Sequence, residues 1–543
     1  MENKKAATRG FAILTVAGIL NKVMSVAYVP ILLQIIGGVG YGIYTAGYKI
    51  YAFIYILTNS GFPIAISKLE AELIARKNYR DARRSFRVVS MVMTIYGFAM
   101  AALTAIFARQ ITTAMHYNRS YLVILALSPT MLFSAISGIY RGFFNGISNM
   151  KPTAMSQIIE QFLNVVLSLV FALMLMKYGI EWACAGATVG TTIGSMASAL
   201  YLRQKYLRYK KVLKKHTSDD IGWVDTQTLV SRFLSYAIPI ALNSIIVFGG
   251  DLIDLLNVGP RLISAGFSSD WTYVLLGVLN KYSSLLNVPL AITTALYTAM
   301  MPSFSAAVSL KDTEQLKSNI SDAFRMSLMI SIPSAVGLTV ISKPIFLFLF
   351  SEKYVDGWRL MTVGSIVVIL YSVIQIQAGI LQSINKTKYS TISMLVGIAV
   401  KVFINYFLIA IPSINIMGAV IGTIVCYIIA MDLNSRYIKK FLPVQVSIKR
   451  HIGRPAVSSA AMAISVTVVY KLLYMLLHFF IRGTYIPNAI STLISVLVGC
   501  FTYAVIMLRL GGITRDDVES IPHIGRLKKL IPQSVLAMVK PGK

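Results

Sequence analysis

The chain has 543 residues, of which 56% are hydrophobic and 13% charged, and its mean hydropathy is +0.69. Soluble domains carry about 25% charged residues, so this composition excludes an ordinary water-soluble enzyme, a disordered scaffold and a coiled coil. The remaining charge is lopsided, 51 Lys and Arg against 21 Asp and Glu for a net +30, which in an apolar chain asks first which membrane face holds the basic loops.

Taken in chain order, Met1-Glu-Asn-Lys-Lys opens the sequence without a short apolar core and small-residue cleavage site, so the first apolar segment is expected to remain as a span. A spanning helix needs about 20 mostly apolar residues. Fourteen windows meet that need: 11–36, 41–66, 88–108, 121–140, 155–176, 181–202, 233–256, 272–300, 326–349, 360–384, 391–411, 414–433, 456–480 and 486–508. Most Lys and Arg fall at the N-terminus, in the loops after even-numbered windows and in the C-terminal tail. Both termini are therefore expected in the cytoplasm. The loops 67–87 and 203–232 are the richest in basic residues, and the side bias accounts for them without nucleic acid. The tail 511–543 mixes Arg526, Lys528 and Lys529 with Ile521, Leu527, Leu530 and Ile531. An interfacial helix on anionic headgroups and a plain solvated tail are both open for it.

The second half repeats the first. Gly186-Ala-Thr-Val-Gly-Thr191 corresponds to Gly418-Ala-Val-Ile-Gly-Thr423, Gly142-Phe-Phe-Asn-Gly-Ile147 to Gly379-Ile-Leu-Gln-Ser-Ile384, Asn164 to Asn405, and Ser85-Phe-Arg87 to Ala323-Phe-Arg325. The order is conserved at nearly one offset, which covers six windows. An even number preserves orientation, so the expected architecture is an all-α polytopic membrane protein with two parallel six-helix repeats and two added C-terminal helices. The expected divisions are 1–202, a basic linker 203–232, 233–440, 441–510 and the tail 511–543. Gly186, Gly190 and Gly194 recur every four residues, the small-xxx-small pattern of close helix contact.

Charges inside spans cost at least ~2.5 kcal/mol at the bilayer centre, so each marks a cavity or a pair. Lys22 with Asn21 on span one, Lys49 on span two and Lys281 with Asn280 on span eight are the candidate substrate-binding residues. Lysine supplies a point charge and three donors, which suits a phosphate-bearing anion. Lys49 is also placed to snorkel to the interface. Asp251 and Asp254, three apart on span seven, share a helix face and can balance the lysines or hold a coupling cation. Glu160 on span five suits a proton or sodium relay, or else a buried hydrogen-bonding acid that pins helices together; Lys401 on span eleven stands at the matching place in the other half, which leaves a Glu160–Lys401 pair open. Cys184, Cys426 and Cys500 lie alone in apolar stretches and five scattered histidines have no ligand spacing. No metal site, cofactor or catalytic constellation is expected. No GxxxxGK[ST] loop occurs, so a nucleotide is not the expected energy source.

The run Arg141-Gly-Phe-Phe-Asn-Gly-Ile-Ser-Asn-Met-Lys-Pro-Thr-Ala-Met-Ser-Gln-Ile-Ile-Glu-Gln161, with Arg9-Gly10, Gly61-Phe-Pro-Ile-Ala-Ile-Ser-Lys68 and Leu381-Gln-Ser-Ile-Asn-Lys386, resembles the sporulation-protein-B-like branch of polysaccharide-biosynthesis membrane proteins. That branch belongs to the MOP superfamily, with the MATE exporters and the lipid II flippases. The resemblance implies a two-lobed, non-enzymatic flippase working by alternating access in the bacterial cytoplasmic membrane. It implies an undecaprenyl-diphosphate-linked saccharide as substrate, lipid II foremost, and places Lys22, Lys49 and Lys281 on cationic cavity positions. Tyr28 and Tyr55 stand where those flippases typically carry further arginines. Proton or monovalent-cation coupling and contacts with membrane lipids and cell-wall synthesis proteins are further expectations. The competing functions are a cation-coupled multidrug exporter, which the excess of lysines over acids disfavours, and a non-transporting scaffold acting through its basic loops.

Overall fold

The structure, a computed structural model, describes residues 2–59, 61–75, 78–215, 225–310, 312–350, 357–442 and 451–512. Every regular element among them is helical. In order they are α1 Glu2–Asn59, α2 Phe62–Ala75, α3 Tyr79–Ile106, α4 Ala108–Ala114, α5 Tyr121–Gly146, α6 Lys151–Leu175, α7 Ile180–Lys215, α8 Thr226–Ser264 and α9 Ser269–Ser309. They continue as α10 Thr313–Val340, α11 Ser342–Phe350, α12 Trp358–Gly364, α13 Ile366–Ser383, α14 Thr387–Leu408, α15 Met417–Phe441, α16 Gly453–Phe480 and α17 Tyr485–Arg509. The all-α membrane architecture expected from hydropathy is thus observed. Among the described residues, eleven helices are long and apolar enough to cross a bilayer.

Several boundaries differ from the hydropathy windows, each for a local reason. The first two windows do hold as two helices: the stretch labelled α1 is broken at Gly37, whose φ of 68° and ψ of −177° lie outside helical space and part the windows 11–36 and 41–66. Only a residue without Cβ takes that conformation cheaply. The chain then re-enters a helix at Phe62, where a loop was expected from residue 67. Pro63 stands in the first turn of α2, where its missing N–H costs nothing. The window 326–349 is broken between α10 and α11, because Pro344 cannot donate to Val340 and its ring crowds that carbonyl. The window 360–384 is broken at Gly364–Ser365, where the Ser365 hydroxyl donates to the Met361 carbonyl and the small pair permits a bend. The linker 203–232 is largely helical: α7 runs on to Lys215, and α8 starts where the Asp225 carboxylate accepts the Gln227 N–H at 3.0 Å. Residues 216–224 and the tail from 513 lie outside the described residues.

The helices gather into two compact units, residues 1–280 with 402–419 and residues 281–401 with 420–543. These follow packing, whereas the repeat lobes follow sequence correspondence, and the first division falls inside α9. In the first unit, α6 lies along α7, and α1 packs against α5, α6, α7 and α8. Glycine sets the close approach of α6 and α7. A Cβ at Gly186, Gly190 or Gly194 would come within 2.4–2.6 Å of Phe171 O, Ser168 Oγ or Glu160 O. In the second unit, Phe304, Leu316, Phe324, Leu328, Val373 and Ile376 form a buried core, with α10 against α13 and α16. The outward faces of α16 and α17 are apolar: Phe479 is 85% exposed, Phe480 74% and Phe501 69%. Apolar surface of that extent suits lipid, not water.

The two sequence runs Gly61–Lys68 and Arg141–Gln161 turn out to be packing partners. A Cβ at Gly142 would lie 1.9 Å from Ile66 Cγ2 and 2.5 Å from Pro63 O, and one at Gly146 would lie 2.7 Å from Ser67 O. These glycines let α5 sit directly on α2. Gly142→Ala is therefore expected to destabilise the protein by about 1–3 kcal/mol through overpacking. Gly138→Ala, whose Cβ would reach Pro63 Cγ at 3.2 Å, should cost less. Thermal melts of the two purified variants check the order; equal melting temperatures would contradict it.

Candidate functional site

The residues singled out in the sequence occupy distinct environments. On α1, Lys22 is exposed and forms no ion pair or hydrogen bond among the described residues, and Asn21 Oδ1 is buried without a partner. Beyond the Gly37 break, Lys49 is half-buried on the second helical stretch of α1. Asn280 donates to the Tyr41 hydroxyl at 2.9 Å, so this candidate ligand group is engaged with α1. Lys281, in the second unit, is 1% exposed, and its ammonium lies 5.6 Å from the Phe350 ring centroid, within cation–π reach. The neighbouring Tyr282 donates to Gly364 O at 3.2 Å, which ties this stretch of α9 to α12. The structure thus places two of the three lysines in the first unit and the third, buried, in the second.

The acidic candidates separate likewise. Asp254 on α8 accepts from Asn405 Nδ2 at 2.7 Å; the Asp251 side chain lies outside the described residues. Lys401 is buried in the second unit. Glu160 is held inside the first unit: Arg141 Nη2 donates to Oε2 at 2.5 Å and Ser195 Oγ to Oε1 at 3.0 Å. Arg141 also donates to Ser156 Oγ at 3.0 Å and Ser198 Oγ at 2.9 Å. The pair is largely buried, its side chains 16% and 25% exposed, so the hydroxyls around it share the desolvation cost. The repeat-related asparagines have diverged. Asn164 Oδ1 accepts from Ser168 and Thr191 at 3.0 and 2.9 Å, joining α6 to α7, whereas Asn405 serves Asp254.

Sequence reading missed two features. Arg141 stands in the Arg141–Gln161 run, yet nothing in that run marks it as the partner of Glu160. The turn between α5 and α6 lies between them, and folding the hairpin back on itself is the signal that brings them together. The second is a tyrosine stripe at 41, 44, 48, 51 and 55, helical spacing that puts all five on one face of α1. Successive ring centroids lie 5.6–6.1 Å apart, and Tyr28 reaches Tyr44 edge-on at 6.5 Å. Tyr28, buried, donates to Ala187 O at 3.2 Å. Such rings form a stiff wall with polar tips. Among the described residues no group of three His, Cys, Asp or Glu could hold a metal ion.

Comparisons place the molecule among known proteins. Residues 7–308 match the family described as polysaccharide biosynthesis protein. The stage V sporulation protein B of Bacillus subtilis (strain 168) is 26% identical over 532 residues, 96% of this chain and 99% of that protein. The lipid II flippase MurJ of the same organism is 25% identical over 544 residues, 95% of this chain and 98% of that protein. Among solved structures, a lipid II flippase MurJ in an inward closed conformation superposes with a TM-score of 0.65 at 16% identity, covering 92% of this chain and 97% of that one. An inward-facing multidrug resistance MATE family transporter of the MOP superfamily also gives 0.65, at 14% identity, covering 79% and 96%. The fold is accordingly shared by flippases and exporters of this superfamily.

Proposed function

Because the chain belongs to the polysaccharide biosynthesis protein family, we propose that it is a flippase carrying an undecaprenyl-diphosphate-linked saccharide, lipid II foremost, across the bacterial cytoplasmic membrane by alternating access. The observation that carries this reading is a buried cation in an apolar helix: Lys281, 1% exposed on α9. Lys22 and Lys49 on α1 add two more intramembrane cations. An ammonium inside a membrane protein is costly and marks a cavity or a pair; a diphosphate offers several acceptor oxygens to lysine donors. The full-length likeness to a protein named as a lipid II flippase supports the same substrate class. The basic loops support both termini lying in the cytoplasm. Asp254, held by Asn405, is the candidate for charge balance or for a coupling proton or monovalent cation.

Depletion in the native bacterium tests the reading. The lipid-linked intermediate is expected to accumulate on the cytoplasmic leaflet, and its chemical analysis identifies the glycan. Unchanged leaflet distributions of every lipid-linked saccharide would overturn it. A multidrug exporter, whose fold is the same, would instead change drug accumulation and leave those lipids untouched.

A further inference from the structure

Away from the lysines, α2 carries a carboxylate in an unusual place. Glu70 is 0% exposed, and neither of its oxygens makes a hydrogen bond or ion pair. It faces Gly146 on α5, where a Cβ would come within 3.1 Å of its own Cβ. Around it, Leu69, Leu73, Phe86, Phe143 and Tyr206 fill the junction of α2, α3, α5 and α7. The rings pack closely there, Phe86 against Tyr206 at 4.2 Å and against Phe143 at 5.0 Å. Two residues on, Glu72 is satisfied: Tyr236 donates to it at 3.1 Å and Arg232 lies 3.5 Å away, both on α8. One face of α2 thus holds a partnered acid and another a sealed, unpartnered one.

The other ionisable groups at this junction are engaged elsewhere or stay at a distance. From α3, the hydroxyl of Ser85 lies beside Glu70 without hydrogen-bond geometry. Arg83 and Arg87 of α3 are felt with Glu70 at the Tyr206 phenol, yet neither pairs with Glu70, and Arg84 is spent on Thr226 at 2.6 Å. From α5, Arg141 is bound to Glu160, and Tyr140 lies 5.5 Å from Tyr206. From α8, Arg232 and Tyr236 serve Glu72, and Lys68 of α2 sits over the Tyr236 ring at 3.9 Å. An ionised carboxylate without a partner is not sustainable in such surroundings.

We propose that Glu70 is a proton-binding site, a neutral carboxylic acid sealed in the α2–α3–α5–α7 junction, which takes up one proton as the junction closes and releases it as the junction opens to water. Burial also holds the Glu70 carboxyl well above the usual carboxylate range, in agreement with the geometry. The sign follows from linkage. The closed junction binds the proton more tightly, so acid favours closure. The penalty on closure begins as pH rises past the ordinary glutamate value near ~4.3 and grows until the raised value is passed. Since α2 connects α1 to α3, a rearrangement that parts α2 from α3 and α5 would hydrate Glu70 and so couple to proton concentration. This site is independent of the identity of the transported lipid.

Infrared difference spectroscopy on the purified full chain, wild type against Glu70→Gln, tests the proposal. At neutral pH the wild type is expected to show a protonated-carboxyl C=O band that Glu70→Gln lacks. The melting-temperature advantage of Glu70→Gln over wild type should also widen as pH rises from acid to alkaline. Identical spectra with parallel melting profiles would overturn the proposal. If Glu70→Gln cannot be purified, wild-type protein labelled with carboxyl-13C glutamate reports the same band by its isotope shift. Absence of a shifted protonated band at neutral pH would then overturn it.

Discussion

Lys281→Ala is expected to reduce transport of the lipid-linked saccharide roughly 10- to 100-fold, the equivalent of losing one charge-assisted hydrogen bond to a phosphate. The ammonium is buried on α9 with the Phe350 ring 5.6 Å away, so no bulk water is positioned to replace it. Alanine also leaves a space where a long side chain stood, and loss of activity alone would not separate binding from packing. Lys281→Met removes the charge while filling most of the volume, and Lys281→Arg keeps the charge with a different shape. If the ammonium meets the substrate, Lys281→Met should be as defective as alanine, and Lys281→Arg should retain more activity than either. The measurement is the flip rate of fluorescent lipid-linked saccharide in reconstituted vesicles, compared only among variants of equal melting temperature. A wild-type rate for Lys281→Met would remove Lys281 from the substrate path.

Arg141→Ala is the substitution expected to damage stability most. It would leave the Glu160 carboxylate facing Ser195 alone in a hairpin of apolar helices. Breaking a buried pair by removing one partner costs about 3–5 kcal/mol; with the side chains 16% and 25% exposed, about 2–4 kcal/mol is the expectation here. The double variant Arg141→Met/Glu160→Met should recover much of that loss, because no unpaired charge remains. Thermal or denaturant unfolding of the two singles and the double gives the coupling energy directly. If the losses simply add, the short contact contributes nothing and the cluster is held by its hydroxyls.

These two residues illustrate what a linear reading can and cannot reach. Glu160 is conspicuous in sequence because an acid inside an apolar window is conspicuous. Its partner is invisible there, because the pairing depends on how α5 folds back on α6 across the turn at 147–150. The same holds for Asn405, whose repeat mate Asn164 suggests an equivalent role, yet whose amide serves Asp254 on α8. Gly142 and Gly146 read as parts of a family motif, and only the fold shows that they seat α5 on Pro63, Ile66 and Ser67. Conversely, the breaks before Pro344 and at Gly364–Ser365 are written in local chemistry. A hydropathy window that averages over a span is blind to both.

The amino-acid sequence by itself determined the class of molecule. Hydropathy summed over about 20 residues identifies membrane helices, the internal correspondences identify a duplicated chain, and intramembrane lysines identify the candidate cation positions. Each of these signals is local or strictly periodic, so no third dimension is needed to see it. The tertiary structure alone decided which charges are paired, which are sealed and which face outward. Lys22 is exposed, Lys281 is buried, Glu160 is clamped by Arg141, and Glu70, unremarkable among the residues of a basic loop, is enclosed without a partner. The physical reason is that the energy of a charge depends on the dielectric and partners around it, and those are supplied by helices far away in the chain.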